Sequence, residues 1–256
     1  MTEASPPDSV LGRAFTILGT FLGGESDLSM SELSRRCNLP RPTIHRMVVE
    51  MVSWGMLERT SRGVRLGLRL FELGQLVPRQ RDLRYTAMPI LSDLAAATRQ
   101  TIHLAVMDGG DVVYVDKLQG PNGPALPSRV GGRMPPYCTA LGKAQLAFSD
   151  ASLVKQVILT GMPRRTPRTI VDPRIFFQQL VRIRETGVAF EFEESTRGIV
   201  CVASPVFNED NQVIAAISVS GWLNLLNVDR VDPAVKTAAS MLSRQLGATR
   251  PMAAAS

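Results

Sequence analysis

The stretch Leu28-Ser-Met-Ser-Glu-Leu-Ser-Arg-Arg-Cys-Asn-Leu-Pro-Arg-Pro-Thr-Ile-His-Arg-Met-Val48 decides how this chain is read. It opens on a capping box, in which the Ser29 hydroxyl accepts from the Glu32 amide while the Glu32 side chain reaches back. The helix so started buries Leu33 and ends near Asn38, a residue that tolerates a left-handed cap. Leu39-Pro40 then forces a turn. A second helix is predicted from about Arg41 to Trp54, stopped by Gly55, with Ile44, Met47, Val48 and Met51 on its apolar side. The exposed side of its first turns carries Arg41, Thr43, His45 and Arg46.

Upstream, residues 10–22 place Leu11, Ala14, Phe15, Leu18 and Leu22 on one apolar helical face. Downstream, residues 57–66 give two short strands around Ser61-Arg62-Gly63. Helix, helix, turn, helix, hairpin is the order of a winged helix-turn-helix, here over residues 8–66. Charge points the same way. Between Ser29 and Arg69 eight arginines face three glutamates, so this segment holds a net +5 of the whole chain's +6. Arginine is the side chain whose rigid fork grips phosphate or guanine.

Residues 67–83 return to a helical pattern (Leu68, Leu70, Phe71, Leu73, Leu76), interrupted at Pro78, and read as a linker helix. Residues 84–250 read as a mixed α/β domain with an antiparallel sheet, so the fold class is α+β. A helix is expected at 87–98, and strands at 101–108 and 111–117 turn at Gly109-Gly110. A helix follows from Thr139 to Phe148, and another from the Asp172-Pro173 cap to Thr186, closed by Gly187. Strands are expected at 188–193, 200–207 and 213–220. Asp232-Pro233 is read as the start of a last helix, closed by Gly247, and Met252–Ser256 as a frayed tail.

Composition narrows the chemistry. With 256 residues, 45% hydrophobic and 20% charged, the chain has enough apolar content for two packed domains and is not disordered. The longest uncharged apolar run, Val213 to Val228, is broken by Ser218, Ser220, Asn224 and Asn227, so no membrane span and no membrane partner are expected. MTEASPPDSV lacks the basic patch and apolar core of a signal peptide, and the expected location is the cytoplasm. Three cysteines without a C-x-x-C spacing and two histidines 58 positions apart encode no disulfide framework and no zinc finger. No metal, no cofactor and no catalytic residue is assigned.

Several blocks together resemble the IclR family of bacterial transcription regulators, over nearly the whole chain. They are Ser9-Val-x-x-Arg13-Ala-x-x-Ile17-Leu, the stretch quoted first, Arg65-Leu-Gly-Leu-Arg69-Leu, AVMDGGDVVYVDK, RVGGRMPPYCTALGKAQLA, TPRTI, and Glu194-x-x-x-Gly198-x-x-Cys201 running through AAISVSG. The resemblance implies a one-component switch. A winged helix-turn-helix domain would bind double-stranded operator DNA, and a GAF-like C-terminal domain would bind a small organic effector, controlling a catabolic operon. It implies a homodimer, often a dimer of dimers, acting as repressor or activator. The chain departs from the family at the hairpin 58–64, which is several residues shorter, with Val64 where an aromatic is common.

The recognition helix then supplies Arg41, Thr43, His45 and Arg46 to the major groove, with Arg41 or Arg46 forking onto a guanine. Arg35, Arg36 and Arg62 are the phosphate candidates. For the effector, the resemblance implies that the amides of Ala140 and Leu141 receive a ligand carboxylate, as a helix N-terminus favours. It places Glu191, Cys201, Ser218 and Ser220 as polar contacts, and Leu126, Met134 and Ile199 as apolar wall. Ser218 and Ser220 lie two apart on one strand and so face the same way. The competing reading is a cysteine-dependent enzyme on a GAF-like domain, with Cys201 or Cys138 as nucleophile. It needs a base within reach, and His103 is the only histidine outside the DNA-reading segment.

Overall fold

The computed structural model describes residues 9–249, without the side chains of residues 79 and 80. The expected fraying of Met252–Ser256 and the outer limits at 8 and 250 lie outside the described residues. The chain divides after Arg81 into two compact units.

In the first unit, α1 (Val10–Gly19) starts at Ser9, whose hydroxyl accepts from the Gly12 amide at 3.0 Å. A 3-10 turn (Thr20–Gly23) follows. Its core face differs from the expected stripe. Ile17 and Phe21 are buried, Ala14 and Leu18 half-buried, and Leu11, Phe15 and Leu22 exposed. At about 100° per residue, Ala14 and Phe21 lie on the side of buried Ile17, whereas Leu11, Phe15 and Leu22 lie well round from it, so the apolar residues do not share one buried side. α2 (Met30–Cys37) has the Ser29 cap, with the Glu32 amide donating to Oγ at 3.2 Å, and ends on Asn38 at φ 52°. The reciprocal half of the capping box is not made, because the Glu32 carboxylate is taken by Arg35 and Arg36. α3 (Arg41–Ser53) buries Ile44, Met47, Val48 and Met51 against Leu33, Cys37 and Leu57. At about 1.5–3 kcal/mol per side chain, those four fix which way α3 faces. β1 (Leu57–Thr60) and β2 (Gly63–Leu66) form the hairpin in the register Leu57↔Leu66. Val64 is fully buried and exchanges both backbone bonds with Leu28 (2.9 and 3.0 Å), so it anchors the hairpin instead of decorating a wing.

α4 (Leu68–Gln75) comes next, and α5 runs over Pro78–Thr98. The expected linker helix is therefore two helices, broken before Pro78, and the helix expected at 87–98 is the second half of α5. Pro78 starts a helix well but cannot continue one.

The second unit is built on a six-stranded antiparallel sheet in the order β5-β4-β3-β8-β7-β6. Its strands are β3 (Thr101–Asp108), β4 (Asp111–Leu118), β5 (Arg133–Met134), β6 (Ala189–Phe192), β7 (Ile199–Phe207) and β8 (Val213–Trp222). Ile102, Leu104, Val200, Val202, Ile217 and Val219 point to one face and pack with α5 and with α9 (Val228–Gln245). The alternate residues Ala105, Ala189, Ala203 and Ala216 point to the other face, where they are small enough to admit a helix close to the strands. That helix is α6 (Ala140–Leu146), all seven residues of it buried. α7 (Ala151–Thr160), which no sequence signal had marked, follows it, and α8 (Pro173–Thr186) closes the layer with Phe176, Leu180 and Ile183.

α9 begins at Val228 on the cap Asn227 and not at Asp232-Pro233; Pro233 lies inside the helix, at the cost of one backbone bond. Val231 and Val235 are already in phase with Ala238, Ala239 and Leu242, so burial overrides the proline. Gly142 marks the tightest packing: a Cβ there would fall 2.3 Å from Pro136 Cα. Gly142→Ala is expected to destabilise this unit by about 1–3 kcal/mol through overpacking, read as a lower melting temperature. Among the described residues no helix is long and apolar enough to cross a membrane.

Candidate functional site

With its inner side fixed in the core, α3 turns Arg41, Pro42, His45, Arg46 and Val49 outward, while Thr43 is half-buried. Arg41, His45, Arg46 and Arg62 make no ion pair among the described residues. Arg35 and Arg36 differ. Arg35 Nη2 lies 2.6 Å from Glu32, and Arg36 lies 2.6 Å from Glu32 and 2.7 Å from Glu25. Hydrogen bonds from Arg35 and Arg36 pull the Glu32 carboxyl down to about 2, so all three side chains carry charge. Arg36 thus ties α2 to the segment before it, whereas the α3 arginines stay open. Pro42 and Val49 share the outer face of α3 with His45 and Arg46; their apolar exposure is legible only once the helix phase is known.

In the second unit, strand register assembles a polar row. Glu191 on β6, Cys201 on β7, Ser220 on β8 and Thr101 on β3 are successive cross-strand partners, facing the α6 layer. The next row on that face is Ala189, Ala203, Ser218, His103 and Lys117. Glu191, Ser218 and Ser220 are buried and Cys201 is half-buried. Ile199 and Trp222 form a third row beyond Cys201 and Ser220. Met134 is half-buried on the short edge strand β5, and Leu126 sits in the segment 119–132, its carbonyl accepting from Lys117 Nζ at 2.9 Å. Ala140 and Leu141 open α6 against the same face, behind Thr139, whose Oγ1 accepts from the Gly142 amide at 3.2 Å. The Ala140 and Leu141 amides find no acceptor among the described residues. One Glu191 oxygen accepts from the Ser195 amide at 2.9 Å and from the Glu194 amide at 2.5 Å, while the other, Oε2, is buried with no partner. Burial pushes its carboxyl above the ordinary carboxylate value.

Three of the quoted blocks meet beside this row. Lys143, fully buried in α6, donates to Glu194 at 2.6 Å and to Gln179 at 3.1 Å. Thr166 and Thr169 donate to the carbonyls of Glu193 (2.6 Å) and Glu194 (2.7 Å), which clasps the turn that carries Glu194. Sequence reasoning missed Lys143 because α6 is buried all round and offers no polar face by which to phase a lysine. Its place in the same block as Ala140 and Leu141 was the available signal.

The thiols are not activated. Burial raises Cys201 well above its ordinary value and Cys138 to about 12, whereas a nucleophilic cysteine needs a lowered one. Cys201 Sγ accepts from Ser220 Oγ at 3.2 Å and makes no bond to a histidine. His103 is depressed to about 3 by burial and by the Lys117 charge, so it stays neutral. Among the described residues no group of three or more His, Cys, Asp or Glu is placed to hold a metal ion.

An outward-facing helix-turn-helix in one unit and a sheet enclosing a buried polar row in the other define a DNA-binding regulator with a ligand-binding domain. Comparison with known proteins agrees. Residues 10–61 match the IclR helix-turn-helix domain and residues 75–244 the bacterial transcriptional regulator IclR C-terminal domain. The HTH-type transcriptional regulator KdgR of Escherichia coli (strain K12) is 36% identical over 250 residues, 94% of each chain. The HTH-type transcriptional regulator XynR of the same organism is 33% identical, over 92% of this chain and 96% of that one. Among solved structures, an IclR homolog from Microbacterium hydrocarbonoxydans complexed with 4-hydroxybenzoate superposes with a TM-score of 0.87 at 30% identity, over 93% of this chain and 99% of that one. The Thermotoga maritima IclR gives 0.76 at 31% identity, over 93% and 98%. The chain belongs to the IclR family of bacterial transcriptional regulators. It is a regulator and not an enzyme, which sets the cysteine-nucleophile reading aside.

Proposed function

We propose that this chain binds a palindromic operator through the outer face of α3, as a dimer or dimer of dimers, and that a small carboxylate or aromatic metabolite bound at the polar row changes its hold on DNA, in control of a catabolic operon. The observation that carries the effector half is unmatched hydrogen-bonding capacity at a buried place. Glu191 Oε2 has no donor, and the Ala140 and Leu141 amides on the same face have no acceptor. Left unmet, such groups cost about 1–3 kcal/mol each, so a ligand that supplies an anionic end and a hydroxyl gains what the free protein forgoes. The relative that binds 4-hydroxybenzoate offers a ligand of that chemistry. Cys201, Ser218 and Ser220 add polar contacts, and Leu126, Met134 and Ile199 the apolar ones.

The test is a thermal-shift titration with 4-hydroxybenzoate, benzoate, pyruvate and lactate, followed by DNA-binding assays with any acid that stabilises the protein. The expected result is stabilisation by at least one acid, weakened in Glu191→Ala, and a changed affinity for DNA upstream of the gene. Acids that stabilise wild type and Glu191→Ala alike would contradict the placement of the site.

On DNA, Arg41, Thr43, His45 and Arg46 enter the major groove while Arg62, with Arg35 and Arg36 beside their glutamates, lies against phosphates. Self-association is supported by apolar surface on the first unit: Leu11 and Phe15 on α1, Leu68, Phe71 and Leu73 on α4, and Leu76 just past its end are all exposed. Phe71→Glu is expected to lower the sedimentation mass toward a single chain and to weaken operator binding with it. An unchanged mass would remove α4 from the interface.

A further inference from the structure

His103 is two percent exposed and lies in the second polar row, beside Ser218 and Lys117. Its Nε2 is 2.8 Å from Ser128 Oγ and its Nδ1 is 3.5 Å from Ser220 Oγ. The Ser220 hydroxyl has one proton, and that proton goes to Cys201 Sγ. The contact between Ser220 and the ring therefore needs the proton on Nδ1. Nε2 is then bare and accepts from Ser128. A neutral imidazole carries a single proton, so its two nitrogens exchange roles together and a change at one end is felt at the other.

Ser128 belongs to the segment 119–132, which also carries Leu126. This segment crosses the polar rows and is held there by side chains of the sheet. Lys117 Nζ donates to the carbonyls of Leu126 (2.9 Å) and Ser128 (2.7 Å), and Thr101 Oγ1 to that of Pro124 (3.5 Å). Of these ties, the His103–Ser128 bond alone runs on through side-chain contacts, by way of the ring and Ser220, to Cys201, although Thr101 itself stands in the row of Ser220 and Cys201. Lys117 and Thr101 hold backbone carbonyls and end there.

We propose that His103 is a positioning residue of the effector site, coupling Ser220 on its floor to Ser128 on the segment that covers it. The site rests on the reading of the polar row given above. A ligand that takes the Ser220 proton withdraws it from Cys201, changes what Ser220 offers the ring, and so alters the tie on residues 119–132. Coverage of the ligand and its recognition are then one event, and a ligand that bypasses Ser220 binds without closing the segment.

The coupling is tested in the full-length, ligand-free protein by hydrogen exchange of peptides spanning 119–132. Ser128→Ala and Ser220→Ala are each expected to speed exchange there by roughly 2- to 10-fold, the worth of one hydrogen bond. The double variant is expected to go no further than the faster single. Ser218→Ala, next to His103 in the row but not bonded to its ring, is expected to leave exchange at the wild-type rate. Imidazole 15N spectra supply a readout independent of any core variant. The chain has two histidines, and His45→Gln identifies the buried one. Its Nδ1–H form is expected in wild type, with a shifted tautomer balance in Ser128→Ala. Wild-type exchange in Ser220→Ala, equal loosening in Ser218→Ala, or an Nε2–H ring in wild type would each overturn the proposal. Because no ligand is added, these outcomes leave the effector reading untouched, and failure of every acid to bind leaves the coupling untouched.

Discussion

Lys143→Met is expected to lower the melting temperature of the second unit by about 10 °C. The ammonium is fully buried and meets Glu194 at 2.6 Å and Gln179 at 3.1 Å. Removing it leaves a buried carboxylate whose Oε2 already has no partner. Breaking such a pair from one side costs about 3–5 kcal/mol, and a unit of this size loses roughly 2–4 °C per kcal/mol. The loss depends on pH. In wild type, burial holds the Glu194 carboxyl above its ordinary value while Lys143 pulls it down. Without Lys143 the folded value rises further. A carboxyl whose folded value exceeds its unfolded one contributes stability below the unfolded value and loses it as pH rises through the folded one. The deficit of Lys143→Met is therefore smallest in acid, near pH 4, and grows toward neutrality. Lys143→Met combined with Glu194→Met removes both charges and is expected to regain most of the loss, since an apolar pair of similar volume replaces a buried ion pair at little cost. Calorimetry of the two singles and the double from pH 4 to 8 checks this. Equal deficits at all pH values, or no recovery in the double, would show that Lys143 acts through packing alone.

Arg46→Ala is expected to weaken operator binding about 10- to 100-fold, the range for losing a bidentate contact to guanine. Arg46 has no ion partner among the described residues, so the loss falls on DNA and not on the fold. Its melting temperature should stay at the wild-type value. Arg62→Ala, at the hairpin tip, should instead weaken all sequences alike and flatten the salt dependence by about one ion. Affinities measured on operator and on scrambled DNA over a salt series separate the two. If both substitutions act alike, α3 does not carry the base reading.

The readable parts of this protein are those where a local rule and tertiary burial agree. The Ser29 cap, the Asn38 stop and the Ile44-Met47-Val48-Met51 face were all legible, and so was the Asp172-Pro173 to Gly187 helix. The misread parts are those where they conflict. Pro233 looked like a helix start, yet an apolar stripe beginning at Val231 pulls the helix past it. Leu11, Phe15 and Leu22 looked like core, yet they lie on the side of the helix away from Ile17 and are exposed. Glu32 was expected to complete a capping box, yet two arginines on the same helix compete for it. For the effector site, the strand pattern gave Ser218 and Ser220 a common face. The neighbours that complete the two rows, Glu191, Cys201 and Thr101 beside Ser220 and His103 beside Ser218, come together through register across four strands, and register is not written in any one of them.

The most direct test of the account is a footprinting titration of the full-length chain on the DNA upstream of its own gene, near 50 mM salt, with wild type and Arg46→Ala side by side. A protected palindrome is expected, lost in Arg46→Ala, whose midpoint moves when an acid that stabilises the protein is added. Protection that is absent, or that ignores both the substitution and every stabilising acid, would contradict it.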